Sequence, residues 1–231
     1  MMFAPRGAQA QGGGSGNGAD PNYLPSAAEK KQVANKMALA DKIASLSPDK
    51  AGSFFYKTLP LERAWYEPND LAHVNYCGPG ATQVALDIRL PASSVPHIDT
   101  IGREEYTNVG KTGTYTSDIR RVLNKRLNTT WYLLAQAGSK AALENYIYID
   151  MYYNYAMVTG LKTGGMPGWG TRNVNHIVAV YGYYRSNDGL TSYVYYTETA
   201  TAKAGYNGAF YNGASSANFW RWVSVNNTQV W

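Results

Sequence analysis

Residues 75–90 read NYCGPGATQVALDIRL, and this stretch sets the reading of the whole chain. Val84, Ala85 and Ile88 form an apolar stripe at helical spacing, and Pro91 stops the helix they imply. Cys77 then falls at the helix start. A helix N-terminus carries partial positive charge, which favours a thiolate, and the thiolate is the nucleophilic form of cysteine. Gly78 and Gly80 are expected to keep side chains away from the sulfur and let backbone N–H groups approach an oxyanion. Gly78 is therefore placed in the substrate cleft. Cys77 is the only cysteine, so no intrachain disulfide competes for it. It is either a buried hydrophobe or a reactive thiol.

A nucleophilic thiol needs a base, and the chain offers His73, His97 and His176. His97 sits in a proline-rich loop and reads as a surface residue. His73 precedes Cys77 by the spacing of a metal pair, but Gly78-Pro79 argues against one helix spanning both. With no second cysteine and no carboxylate–histidine cluster, no metal or cofactor is expected. His176 opens HIVAVYGYY, an apolar strand that would hold an imidazole rigidly. The turn 187–189 (Asn-Asp-Gly) joins it to a second strand ending in Thr197-Glu198. Adjacent antiparallel strands would bring Glu198 back to His176, where a carboxylate can fix the imidazole tautomer. A structural thiol, a core histidine and a solvated glutamate are the alternatives at these three positions.

Outward from these strands, residues 54–66 read as extended and 67–70 as a turn cluster. Upstream, Ser26 and Glu29 form a capping box, followed by Val33, Met37, Ala40 and Ala44 at helical spacing and a stop at Ser47-Pro48. Lys36 is assigned to the solvent-facing flank of that helix. Residues 91–116 read as loop. Ser117 and Ser139 are expected to cap two further helices, the second with an ambiguous end over 146–153. Strands are expected over 155–161, 176–184 and 192–197, with the sheet continuing into 218–225. The fold class is thus α+β, an N-terminal helical layer packed on a C-terminal antiparallel sheet. Residues 1–22 read as a disordered leader or signal-peptide remnant, because Ala8-Gln9-Ala10 precedes a Gly/Ser stretch, and residues 23–231 as one domain.

The order Cys77-Gly78-Pro79, then 176–183, then a strand ending in an acid resembles the C39-like cysteine peptidases, which are papain-like in fold. The stretch 165–169 (Gly-Met-Pro-Gly-Trp) is similar to their secreted bacterial branch. The resemblance covers about residues 59–200 and implies a triad of Cys77, His176 and Glu198. That family usually has Asp where Glu198 stands and carries an oxyanion Gln before its cysteine. Here no Gln occurs between Gln32 and Gln83, so Asn69 and Asn75 are the candidate oxyanion donors. Trp169 and Asn175 are expected to line the cleft.

The expected activity is cysteine peptidase or amide hydrolase, acting through a thioester on a peptide or protein. An inactive scaffold binding peptide or cell-wall fragments, or a transglutaminase-like acyltransferase, would carry the same residues. The net charge is +5, but the basic residues form no stripe, so nucleic acid is not an expected partner. No apolar run is long enough to span a membrane. A secreted monomer is expected.

Overall fold

The computed structural model describes residues 17–46 and 54–231. Helix α1 (Ala27–Leu46) opens on the expected cap. Ser26 Oγ accepts the Glu29 N–H at 3.2 Å, and Glu29 Oε2 accepts the Ser26 N–H at 2.8 Å. The Ser47-Pro48 stop lies outside the described residues, as do leader residues 1–16. Residues 17 and 18, expected in the leader, belong to the fold. Asn17 is buried and its Oδ1 accepts the Thr114 N–H at 2.9 Å, while Gly18 bridges Tyr115.

Strand β1 (Phe55–Thr58) is followed by helices α2 (Cys77–Asp87), α3 (Ile98–Glu104) and α4 (Thr116–Arg126). Helix α3 lies inside the stretch expected to be loop, because Ile98 and Ile101 bury one short face. Ser117 falls in the first turn of α4 rather than at its cap. After β2 (Leu134–Ala135), Ser139 caps α5 (Lys140–Tyr152), which stays helical through the ambiguous 146–152 stretch. Strands β3 (Met157–Lys162), β4 (Asn175–Arg185), β5 (Ser192–Thr197) and β6 (Tyr211–Ser215) follow. The expected strand at 218–225 is instead helix α6 (Ser216–Asn226). Ser215 Oγ accepts the Asn218 N–H at 3.3 Å, and Phe219, Trp222 and Val223 bury one helical face. Strand β7 (Thr228–Val230) ends the chain.

The strands form one antiparallel sheet in the order β2-β7-β3-β4-β5-β6, with β1 on the distal half of β4. Alternate residues of β4 serve the two faces. Ile177 and Ala179 pack with Cys77, Ala81, Val84 and Ile119, from α2 and α4. Val178 and Val180 pack with Leu143, Ile147, Phe219 and Trp222, from α5 and α6. Helix α1 joins the second face through Val33, Met37 and Ile43. Lys36 departs from its expected solvent position. It is 6% exposed, and its Nζ lies 3.0 Å from Asp150 and against the rings of Trp131 and Trp231. Burial pushes the Lys36 ammonium down, and the Asp150 charge opposes that shift.

Register positions the site. Thr197 pairs with Ala179, so the next residue, Glu198, falls beside Val178. His176 lies two residues from Val178 on the same strand face. His176 and Glu198 therefore meet at one end of the sheet.

Candidate active site

Cys77 is the first residue of α2 and only 2% exposed. The two glycines after it serve packing. A Cβ on Gly78 would lie 2.6 Å from Thr114 Cβ, and one on Gly80 would lie 2.6 Å from Thr199 Oγ1. Gly78 thus lets α2 seat against Thr114 and does not line the cleft, contrary to its expected place. The helix start alone does not set the state of the thiol. Burial pushes it well above the ordinary thiol range, and Glu67, once ionised, adds to the rise, while the Ile177 backbone N–H works against it.

His176 is buried at the start of β4. Its Nε2 lies 2.7 Å from Glu198 Oε1. Glu198 is itself 1% exposed and accepts two more hydrogen bonds. The Trp169 Nε1–H reaches its Oε2 at 3.0 Å, and the Ala200 N–H reaches Oε1 at 3.1 Å. The Trp169 ring stands edge-on to the imidazole, with centroids 4.8 Å apart. The imidazole is thus fixed by a carboxylate at one nitrogen and by an indole beside its plane. The loop carrying Trp169 turns through Gly165 and Gly168, at φ of 79° and 80°. At Gly168 the Tyr206 ring would sit 2.3 Å from a Cβ, so the loop can close on Tyr206 only without a side chain there.

Cys77, His176, Trp169, Asn75 and Asn175 line one narrow cleft of about 50 Å³. Space of that size holds a few water-sized groups. Asn69 is elsewhere. It is exposed, and its Oδ1 accepts the Lys203 N–H at 3.1 Å. A larger cavity of about 560 Å³ lies between residues 19–25, α1 and β2, lined by Tyr23, Val33, Leu134 and Tyr146. Neither a cysteine nor a histidine lines it, so chemistry rather than size selects the narrow cleft. The sequence reading missed Glu67 and Arg172, which also line it. Glu67 precedes Pro68 in a turn cluster, and nothing in that pattern distinguishes a buried acid from a solvated turn residue. His73 is held by two carboxylates, with Nδ1 at 2.7 Å from Asp70 and Nε2 at 2.8 Å from Asp99. Among the described residues no three His, Cys, Asp or Glu side chains gather as a metal site, and no helix is long and apolar enough to cross a membrane.

No family model and no curated protein matches the chain. Among solved structures it is similar to UfSP from C. elegans, a cysteine protease of papain-like fold. The two superpose with a TM-score of 0.50 at 10% identity, over 79% of this chain and 34% of the other. The chain spans about a third of that protein's length. At this identity the likeness is one of fold, and the fold is the α+β arrangement of papain-like cysteine proteases.

Proposed function

We propose that the chain is a cysteine peptidase or amide hydrolase, with Cys77 as nucleophile, His176 as base and Glu198 as the acid that orients it. The observation that carries this reading is the buried 2.7 Å contact of His176 Nε2 with Glu198, in the cleft that Cys77 lines. A carboxylate at Nε2 selects the tautomer with its proton there, which leaves Nδ1 to take the thiol proton. The thiolate then adds to a carbonyl carbon, and His176 protonates the leaving amine. Water hydrolyses the resulting thioester. The Glu198 charge stabilises the imidazolium that forms between these steps, and the Trp169 indole holds the ring plane. In this reading the Cys77 backbone N–H and Asn75, which lines the same cleft, contribute at the oxyanion.

A peptide or protein substrate fits this chemistry. The resemblance of residues 77–79 and 176–183 to C39-like peptidases supports that family, and with it secretion, as the finer assignment. One observation favours a binding-only scaffold instead. The thiol is buried and pushed upward, so the free protein holds little thiolate unless His176 accepts its proton.

Alkylation of Cys77 by iodoacetamide across pH 5–10, in the wild type and in His176→Ala, separates the two. The triad predicts alkylation at pH 7 at least about tenfold faster in the wild type, since the base supplies the thiolate. Equal, slow rates in both proteins would leave the scaffold as the better account.

A further inference from the structure

Glu67 is the one acid among the described residues that line the cleft, and the triad does not use it. Its backbone N–H donates to Thr199 O at 2.8 Å, which clamps the turn against the strand end carrying Glu198. Its side chain is 3% exposed and lines the cleft with Cys77 and His176. Oε1 accepts the Thr199 hydroxyl at 3.4 Å. Oε2 has no hydrogen-bond partner among the described residues. A buried oxygen left unpartnered beside a nucleophile calls for an explanation, and a catalytic role is one.

The charged and titratable groups around it come from four elements. Cys77 faces it from α2, His176 from β4, Glu198 from the end of β5, and Arg172 from the loop before β4. None is a cation paired with Glu67. Arg172 Nη1 donates to Ala204 O at 3.0 Å, and His176 is committed to Glu198. Two carboxyl groups share the site, and Glu198 has three donors to hold its charge. Glu67, by contrast, has only the long Thr199 hydroxyl contact from a side chain among the described residues, and a like charge nearby disfavours its ionised form. Burial, and then the Glu198 charge, hold Glu67 well above the usual carboxylate range, against weaker pulls from Thr199 and the Tyr76 N–H. A protonated carboxyl has an O–H to donate.

We infer that Glu67 donates a hydrogen bond from its carboxylic acid to the carbonyl oxygen that becomes negative when the Cys77 thiolate attacks. This rests on the reading of Cys77 as the nucleophile. In the step, the sulfur lone pair forms the S–C bond and the C=O π pair moves onto oxygen. The Glu67 O–H and the Cys77 backbone N–H bind that oxyanion. Collapse re-forms the C=O bond and expels the leaving group, and the Glu67 proton never transfers. The acid supplies the donor that an amide side chain would otherwise provide. It differs in one respect: it works only while protonated, so acylation falls as pH rises through the Glu67 pKa.

The test uses p-nitrophenyl acetate for acylation and iodoacetamide for alkylation, on the full chain with Cys77→Ala as the blank. Alkylation forms no oxyanion and reports the thiol and the fold together. Glu67→Ala is expected to lose about 10²- to 10³-fold in acylation with alkylation within threefold of wild type. Glu67→Gln keeps an N–H donor, so it is expected to acylate within about tenfold of wild type at pH 7 and to lack the wild-type fall at alkaline pH. Acylation of Glu67→Ala within threefold of wild type overturns the inference. So does an alkaline fall that persists unchanged in Glu67→Gln, or alkylation much faster in Glu67→Gln, which would mean the wild-type acid is ionised. If wild type acylates no faster than Cys77→Ala, the nucleophile reading itself fails and this inference with it.

Discussion

Replacing Glu198 by Gln perturbs the site without changing its volume, and the geometry sets what it must cost. Oε1 accepts from both His176 Nε2 and the Ala200 N–H, while Oε2 accepts from the Trp169 indole. A glutamine has only one oxygen. If that oxygen stays toward His176 and Ala200, the amide NH2 confronts the Trp169 N–H, donor against donor. If it turns toward Trp169, the NH2 confronts the Ala200 N–H and forces His176 to accept at Nε2. The imidazole proton then sits on Nδ1, the nitrogen the thiol needs. Either rotamer leaves at least one buried donor unpaired, worth about 1–3 kcal/mol of stability. Either also removes the charge that stabilises the imidazolium, for which losses up to about 10⁴-fold are the precedent in serine hydrolases. Urea unfolding at pH 7 measures the first quantity, and p-nitrophenyl acetate acylation measures the second. We expect a loss of about 1–3 kcal/mol in the first and 10²- to 10⁴-fold in the second. A variant within about 0.3 kcal/mol and threefold of wild type would refute the placement of Glu198 as the orienting acid.

Two further outcomes follow from buried charge. Lys36→Met strands Asp150, which burial already pushes up, so urea unfolding at pH 7 should show a loss of about 3–5 kcal/mol. The double variant with Asp150→Asn should recover part of it, and a single-variant loss below about 1 kcal/mol would show the pair to be solvated. Glu105 is fully buried, with Oε1 accepting from Thr82 Oγ1 and Oε2 unpartnered among the described residues, and burial pushes it up to about 8. Its folded pKa is raised, so its stabilising share is whole below the unfolded value and is lost as pH rises toward 8, by at most about 1.4 kcal/mol per unit. Urea stability of Glu105→Gln should therefore decline less than wild type between pH 5 and 8, and parallel slopes would contradict a buried, protonated Glu105.

The pairing of His176 with Glu198 was legible because a hairpin carries its own register. Once the 187–189 turn joins two apolar runs, antiparallel pairing returns the acid to the histidine, and the period of two puts both on one face. The capping box at Ser26 and Glu29 and the helix beginning at Cys77 were legible for the same reason, since caps and stripes repeat within a few residues. The stretch 218–225 misled because closely spaced aromatics read as a strand, while Phe219, Trp222 and Val223 in fact share a helical face.

Other features belong to the tertiary structure alone, because they depend on partners far away in the chain. Lys36 looks like any solvent-facing helix lysine until Asp150, Trp131 and Trp231 close over it. Asn69 and Glu67 sit two residues apart in one turn, and the sequence favoured the amide as the site donor. The fold turns the acid rather than Asn69 into the cleft, because Thr199, 132 residues further on, holds the Glu67 backbone and side chain. The sequence by itself determined the local elements and the chemistry they carry, since caps, stripes and hairpin register act over short spans. Which side chains lose their water, and so which acids keep their protons, was decided only when distant strands and helices packed together.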